Sequence, residues 1–238
     1  MRRLVLFTFV LAALASPAWA KISLIEPHMH IVPVGAAPEV ALTLDACMGA
    51  TDMRIVNALI DNAIPATIFA TRRWLLRNQD VVSLMLKHPD LFEIEDHGAE
   101  HLPAVIGKIK PYGLTPAGTA NGVFNEVIGG AQAVTAATSI APHWYRGAAA
   151  LYTQDAIDLV ATMGFKIGGF SLNGDLGASA SEKVADQRIA SAKSGDVIIS
   201  HVNQPTRAAG AGVVEGVLAL KAKGFRFVRL EDVAETDN

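Results

Sequence analysis

The chain has 238 residues, 51% hydrophobic and 18% charged, which is the composition of a folded globular protein and excludes a disordered one. A formal net charge of −3 argues against a nucleic-acid-binding surface or a strong attraction to anionic membranes. With Cys47 as the single cysteine, no internal disulfide can form and stability must come from the core.

The chain opens with Arg2 and Arg3, an apolar run from Leu4 to Ala15, and the small-residue end Ala18-Trp19-Ala20. This is the pattern of a secretory leader cleaved after Ala20. The run is short for a spanning helix, which needs roughly 20 residues, so a retained anchor is the lesser reading. Cleavage leaves one domain over residues 21–238, periplasmic or secreted and without stable membrane insertion, and removing Arg2 and Arg3 takes the charge to −5.

Beyond the leader, apolar runs alternate with helical periodicity. "VALTLDA" (40–46) predicts a strand, and "DMRIVNALIDNAI" a helix whose inner face is Ile55, Val56, Leu59, Ile60 and Ala63. "PATIFA" (65–70) and "LFEIE" (91–95) predict strands either side of helical "VVSLMLKH". Residues 102–119, rich in proline and glycine, read as an excursion near one face. Helix "NEVIGGAQAVTAAT", strand end "HWYRG" and helix "TQDAIDLVATMG" follow, the last stopping at Gly164. Strand "FKIGGFSL", helix "SEKVADQRIASAK", strand "DVIISH", helix "GVVEGVLALKAKG" and strand "FRFVRL" complete the chain. About seven strands alternating with helices predict an α/β fold with a parallel sheet or (β/α) barrel.

Asp45, His97, Arg146, Asp175 and His201 all fall at or just past the carboxyl ends of these strands, the face of a (β/α) barrel where catalytic groups collect. His97 and His101 are spaced to share one side of a helical turn, and neutral imidazole is a common ligand of divalent first-row metals. A catalytic metal site usually takes three protein ligands, and Asp45 is the first candidate for the third. Cys47 follows the first strand as a small buried hydrophobe, with a nucleophilic role as its rival. Asp52 stands where a helix N-cap belongs, and Asp96 is placed to accept from an imidazole N–H. His28 and His30 read as solvated residues near the start of the domain, His143 as a strand-start residue, and His88 as a helix end complementing the dipole.

Four stretches carry a family resemblance. "LTLDACMGATDMRIVNALIDNAIPATIFAT" resembles the first motif region of the polysaccharide deacetylases (carbohydrate esterase family four), where the pattern is Thr-Phe-Asp-Asp-Gly before a helix and a "PATFF"-like strand. "FEIEDHGAEH" resembles the second motif, His-Ser/Thr-x-x-His; "WYRGAAA" resembles the third and "IISH" the fifth. The resemblance implies a distorted (β/α) barrel that hydrolyses N- or O-acetyl groups on a glycan with a divalent metal, zinc foremost and cobalt or nickel next. It implies that His97 and His101 bind the metal, Arg146 orients the catalytic carboxylate, and His201 is the general acid. Asp45-Ala46-Cys47 departs from Asp-Asp-Gly, so Asp45 is base or ligand, with Asp52, Asp96 or water as other sources of the third ligand. "SLNGDLGA", with Asn173 and Asp175, only approximates the fourth motif and lacks its tryptophan; Trp144 or Trp74 would then provide an aromatic wall. An amidase on a non-sugar C–N bond and an inactive carbohydrate-binding barrel are the rival readings.

Overall fold

A computed structural model describes residues 23–236, so the leader read over Met1–Ala20 lies outside the described residues. In chain order the first half holds β1 (His30–Ile31), β2 (Glu39–Ala46), α1 (Met53–Asp61), β3 (Ala66–Ala70), α2 (Arg72–Arg77), α3 (Gln79–Met85) and β4 (Phe92–Asp96). Next come α4 (Ala120–Thr138), β5 (Trp144–Tyr145), α5 (Gln154–Thr162), β6 (Lys166–Ile167) and β7 (Leu172–Asn173). The chain ends with α6 (Glu182–Ala190), β8 (Val197–His201), α7 (Ala209–Ala222), β9 (Arg226–Val228) and β10 (Glu235–Thr236).

All eight residues of β2 are buried, as a strand covered on both faces requires. Its side chains sort with period two. Val40, Leu42, Leu44 and Ala46 join the outer core beneath the helices, with Ile55 and Leu59 of α1 and Val213 and Val217 of α7. Ala41 points the other way, into an interior cluster with Phe69, Trp144, Phe170 and Ile199. Thr43 and Asp45 share that inner face. Asp52 caps α1, its Oδ1 accepting from Arg54 N at 3.1 Å, and Thr119 caps α4 through Gly122 N at 3.0 Å.

The main sheet is parallel throughout, in the order β6-β5-β4-β3-β2-β8-β7, with β9 paired to the start of β2. The stretch expected as one strand, "FKIGGFSL", is therefore two strands on opposite edges of the sheet. That split dictates the curvature. Laid flat, the two edges would stand about 29 Å apart, six spacings of roughly 4.8 Å. The chain from Ile167 to Leu172 reaches at most about 18 Å. The sheet must curl into a distorted (β/α) barrel so that this segment can cross the gap. Gly168 and Gly169 make the crossing possible, because an added Cβ would meet Phe69 Cζ at 2.4 Å at the first and Pro27 O at 2.4 Å at the second. Among the described residues no helix is long and apolar enough to cross a membrane.

Candidate active site

The inner face of β2 delivers Asp45 to the carboxyl end of the barrel, level with His201 of β8. Asp45 Oδ1 accepts from Arg146 Nη1 at 2.9 Å, while Oδ2 lies 3.8 Å from His97 Nε2. Burial alone would raise the Asp45 pKa, but the charges of Arg146, His97 and His201 outweigh it and hold the carboxyl below its ordinary range.

Arg146, just past β5, is wholly buried and every edge of its guanidinium is used. Nε donates to Gly168 O at 2.8 Å, Nη1 also to Thr43 Oγ1 at 2.9 Å, and Nη2 to Gly169 O at 2.9 Å. Its Cζ lies 4.1 Å from the centre of the Phe69 ring. The glycine crossing thus supplies the carbonyls that fix the guanidinium, and the guanidinium in turn aims Asp45.

His97 follows β4 on the inner face and is buried. Its Nδ1 lies 2.5 Å from the backbone carbonyl of Arg146. A carbonyl only accepts, so Nδ1 carries a hydrogen and Nε2 is the atom turned to the site. Asp96 does not take the role expected for it: its Oδ1 accepts from Gly98 N at 2.7 Å, beneath α4 and away from the imidazole.

The spacing of His97 and His101 predicted a helical turn, but the structure has a loop. Gly98 and His101 both have positive φ, 86° and 66°. The loop brings the two imidazole centres to 5.0 Å at an angle of 63°. Its organiser is Glu126 of α4, whose carboxylate accepts from Glu100 N and Leu102 N at 2.9 Å each, and whose backbone carbonyl accepts from Ala99 N. Glu126 carries no signal in a single sequence, because its target loop lies some 25 residues upstream.

Cys47 is the second site residue that sequence reasoning set aside. It lies two positions past Asp45 and so turns to the same inner side. Its Sγ is 3.5 Å from His97 Nε2, and donor atoms of Cys47, His97 and His101 all lie within 4.8 Å of one another. Such a spacing suits three ligands of one cation. Burial pushes the Cys47 thiol up, yet His97, together with hydrogen bonds from His101 and His201, brings it well below its usual range. Burial likewise opposes charge on His97, but Asp45 and Cys47 push its pKa up to about 9.

His201 faces the same cleft. Asp175, fully buried, accepts from His201 N at 2.7 Å through Oδ2 and meets His201 Nδ1 at 3.0 Å through Oδ1. Against the opposing pull of burial, that contact sets the His201 pKa well above the ordinary histidine value.

These groups open on a cleft of about 850 Å³ lined by Asp45, Cys47, His101 and His201, with Tyr112 and Arg207 further out. Neither expected tryptophan forms a wall. Trp144 packs in the barrel interior with Met29 and Phe69, and Trp74 is buried under α2. The aromatic exposed at the cleft is Tyr112, 82% accessible, carried there by the loop before α4. Asp52 stays at its cap, paired with Arg54 Nη2 at 2.6 Å. His28 is exposed, and His30 lies 3.7 Å from Asp196.

A curled parallel sheet with its titratable groups gathered beyond the carboxyl strand ends defines a (β/α) barrel with an enzyme-like site. The sequence profile of the polysaccharide deacetylase family matches residues 34–168, and the chain belongs to that family. Solved structures with the same fold include a CE4 family pseudoenzyme from Bacillus anthracis, 15% identical with a TM-score of 0.66. That match covers 83% of this chain and 65% of the other, so the chain spans about two thirds of that protein. Peptidoglycan deacetylase PdaC from Bacillus subtilis is 18% identical, TM-score 0.65, over 82% of this chain and 89% of that one. The family 4 carbohydrate esterase from Streptomyces lividans is 20% identical, TM-score 0.63, over 81% and 93%. No curated protein sequence gives a match.

Proposed function

We propose that the chain is a periplasmic or secreted metal-dependent hydrolase that removes acetyl groups from an N- or O-acetylated carbohydrate. The observation that carries this reading is the meeting of a carboxylate held by arginine (Asp45), His101 and a carboxylate-backed histidine (His201) on one cleft, with buried His97 packed against His101 and Asp45. The convergence of three donor atoms, one of them the Nε2 that Arg146 O leaves facing the site, fits a divalent cation. Such an ion supplies positive charge that polarises an acyl oxygen and acidifies water.

The chain's own residues do the proton work. Asp45, kept ionised and aimed by Arg146, takes the proton from the attacking water. As the C–N or C–O bond breaks, His201 returns a proton to the leaving amine or alkoxide, with Asp175 holding its Nδ1 side. Acetate and the free amino or hydroxyl sugar are the products. Tyr112 at the rim offers a ring face for a sugar.

Acetate release from chitooligosaccharide, peptidoglycan and acetylated xylan tests the reading. Release from at least one, abolished in Asp45→Asn, supports it; none from any, with metal bound, overturns it. In that case the replacement of the family's second aspartate by Ala46 favours the carbohydrate-binding barrel, and hydrolysis of small non-sugar amides would favour the amidase.

A further inference from the structure

We propose that the Cys47 thiolate is the third protein ligand of the His97–His101 site, making a Cys–His–His centre selective for zinc and leaving Asp45 free as the base. This rests on the metal-dependent reading above.

Strand alternation comes first. Ala46, where the family resemblance calls for an aspartate, carries no ligand atom, and its side chain is fully buried in the core under the helices. Cys47 is the next residue on the inner side. The distance agrees with coordination: a sulfur at about 2.3 Å and a nitrogen at about 2.0–2.1 Å from one tetrahedral zinc lie about 3.5 Å apart. Cys47 Sγ and His97 Nε2 are separated by 3.5 Å. Asp45 is less available, since one oxygen is engaged by Arg146 at 2.9 Å. A thiolate among two imidazoles is a soft donor set, which disfavours magnesium and manganese and suits zinc.

The test is cobalt substitution in the purified wild-type chain, read by absorption and not by activity. One bound cobalt per chain with an intense near-ultraviolet thiolate-to-cobalt band is the expected result. Cys47→Asp should keep cobalt and lose the band, while Cys47→Ala should weaken binding by more than the roughly 10–100-fold that loss of a supporting contact costs. Zinc should also protect Cys47 from alkylation by iodoacetamide. Cobalt bound through His97 and His101 without the band overturns the thiolate ligand and leaves the metal-dependent reading standing. Failure of the wild type to bind zinc or cobalt overturns both. A Cys47 that alkylates equally fast with and without zinc, and that forms an acyl thioester, would instead make it a nucleophile served by His201. The wild-type spectrum decides the matter even if a variant fails to fold.

Discussion

Asp45 owes its behaviour chiefly to Arg146. Its burial would favour the neutral acid, and the guanidinium of Arg146, with the charges of His97 and His201 behind it, reverses that preference. In Asp45→Asn the amide oxygen can still accept from Arg146, so the fold should hold. Loss of a general base should lower kcat by about 10²–10⁴-fold. With Cys47, His97 and His101 intact, zinc content should stay near one per chain. Acetate release and metal analysis on the same sample check both halves, and a loss of zinc alongside activity would make Asp45 a ligand. The five strand-end residues were legible one by one from the sequence, because each follows an apolar run. Their pairing was less so: that of Arg146 with Asp45 came only as what the family resemblance implies, and that of Asp175 with His201 joins neighbouring strands through a contact that only the sheet register creates. Cys47 was hidden for a different reason, since a cysteine after an apolar strand resembles any small core residue.

Packing of α4 against β4 decides the shape of the histidine loop. Gly130 allows the close approach, for an added Cβ would fall 1.9 Å from Asp96 Oδ1. About one helical turn away from that contact, Glu126 gathers the backbone N–H groups of the loop. Glu126→Ala should therefore lower zinc affinity by about 10–100-fold, as loss of a supporting contact does, while leaving the barrel folded; a competition titration with a chelator measures it. The strand itself carries a second buried acid. Glu95 accepts from Trp144 N at 2.7 Å and His143 N at 2.9 Å, and burial, with Glu93 beside it, pushes its pKa up to about 9. An acid that binds its proton more tightly when folded contributes stability below the unfolded value near 4.5, and that stability is lost as pH rises towards 9. Glu95→Gln keeps an acceptor and cannot ionise. Its Tm should exceed that of the wild type by a margin that widens from pH 6 to pH 9. The four strands of five residues or more, and every helix but α2, were legible at this scale because their periodicity is local. The broken strand at Gly168 and Gly169 was not, since the reason for the break is a guanidinium, an aromatic ring and Pro27 brought from elsewhere.

Closure of the whole barrel depends on a short crossing between the sheet's two edges, and Arg146 ties that crossing to the rest. Its donors reach the carbonyls of Gly168 and Gly169 on the crossing, Thr43 and Asp45 on β2, and its face lies over Phe69 of β3. Arg146→Met fills the volume but strips buried Asp45 of its hydrogen-bonded partner, with His97 left at 3.8 Å, and leaves two carbonyls without donors. Breaking a buried pair in this way costs about 3–5 kcal/mol. The cost should depend on pH in a fixed sense. In the wild type the lowered Asp45 pKa contributes stability above the unfolded value near 3.8, which is lost as pH falls. In the variant, burial acts unopposed by Arg146, so Asp45 takes up a proton more readily and the deficit shrinks on acidification. Urea unfolding of chelator-treated wild type and Arg146→Met at pH 8 and pH 5 reads this directly. A larger deficit at pH 8 supports the strut. Equal deficits at both would mean that the crossing carbonyls, and not Asp45, are what Arg146 holds in place. Arg146→Lys completes the comparison: a single ammonium can neutralise Asp45 but cannot fork to both carbonyls, so it should restore the pH dependence while recovering only part of the stability.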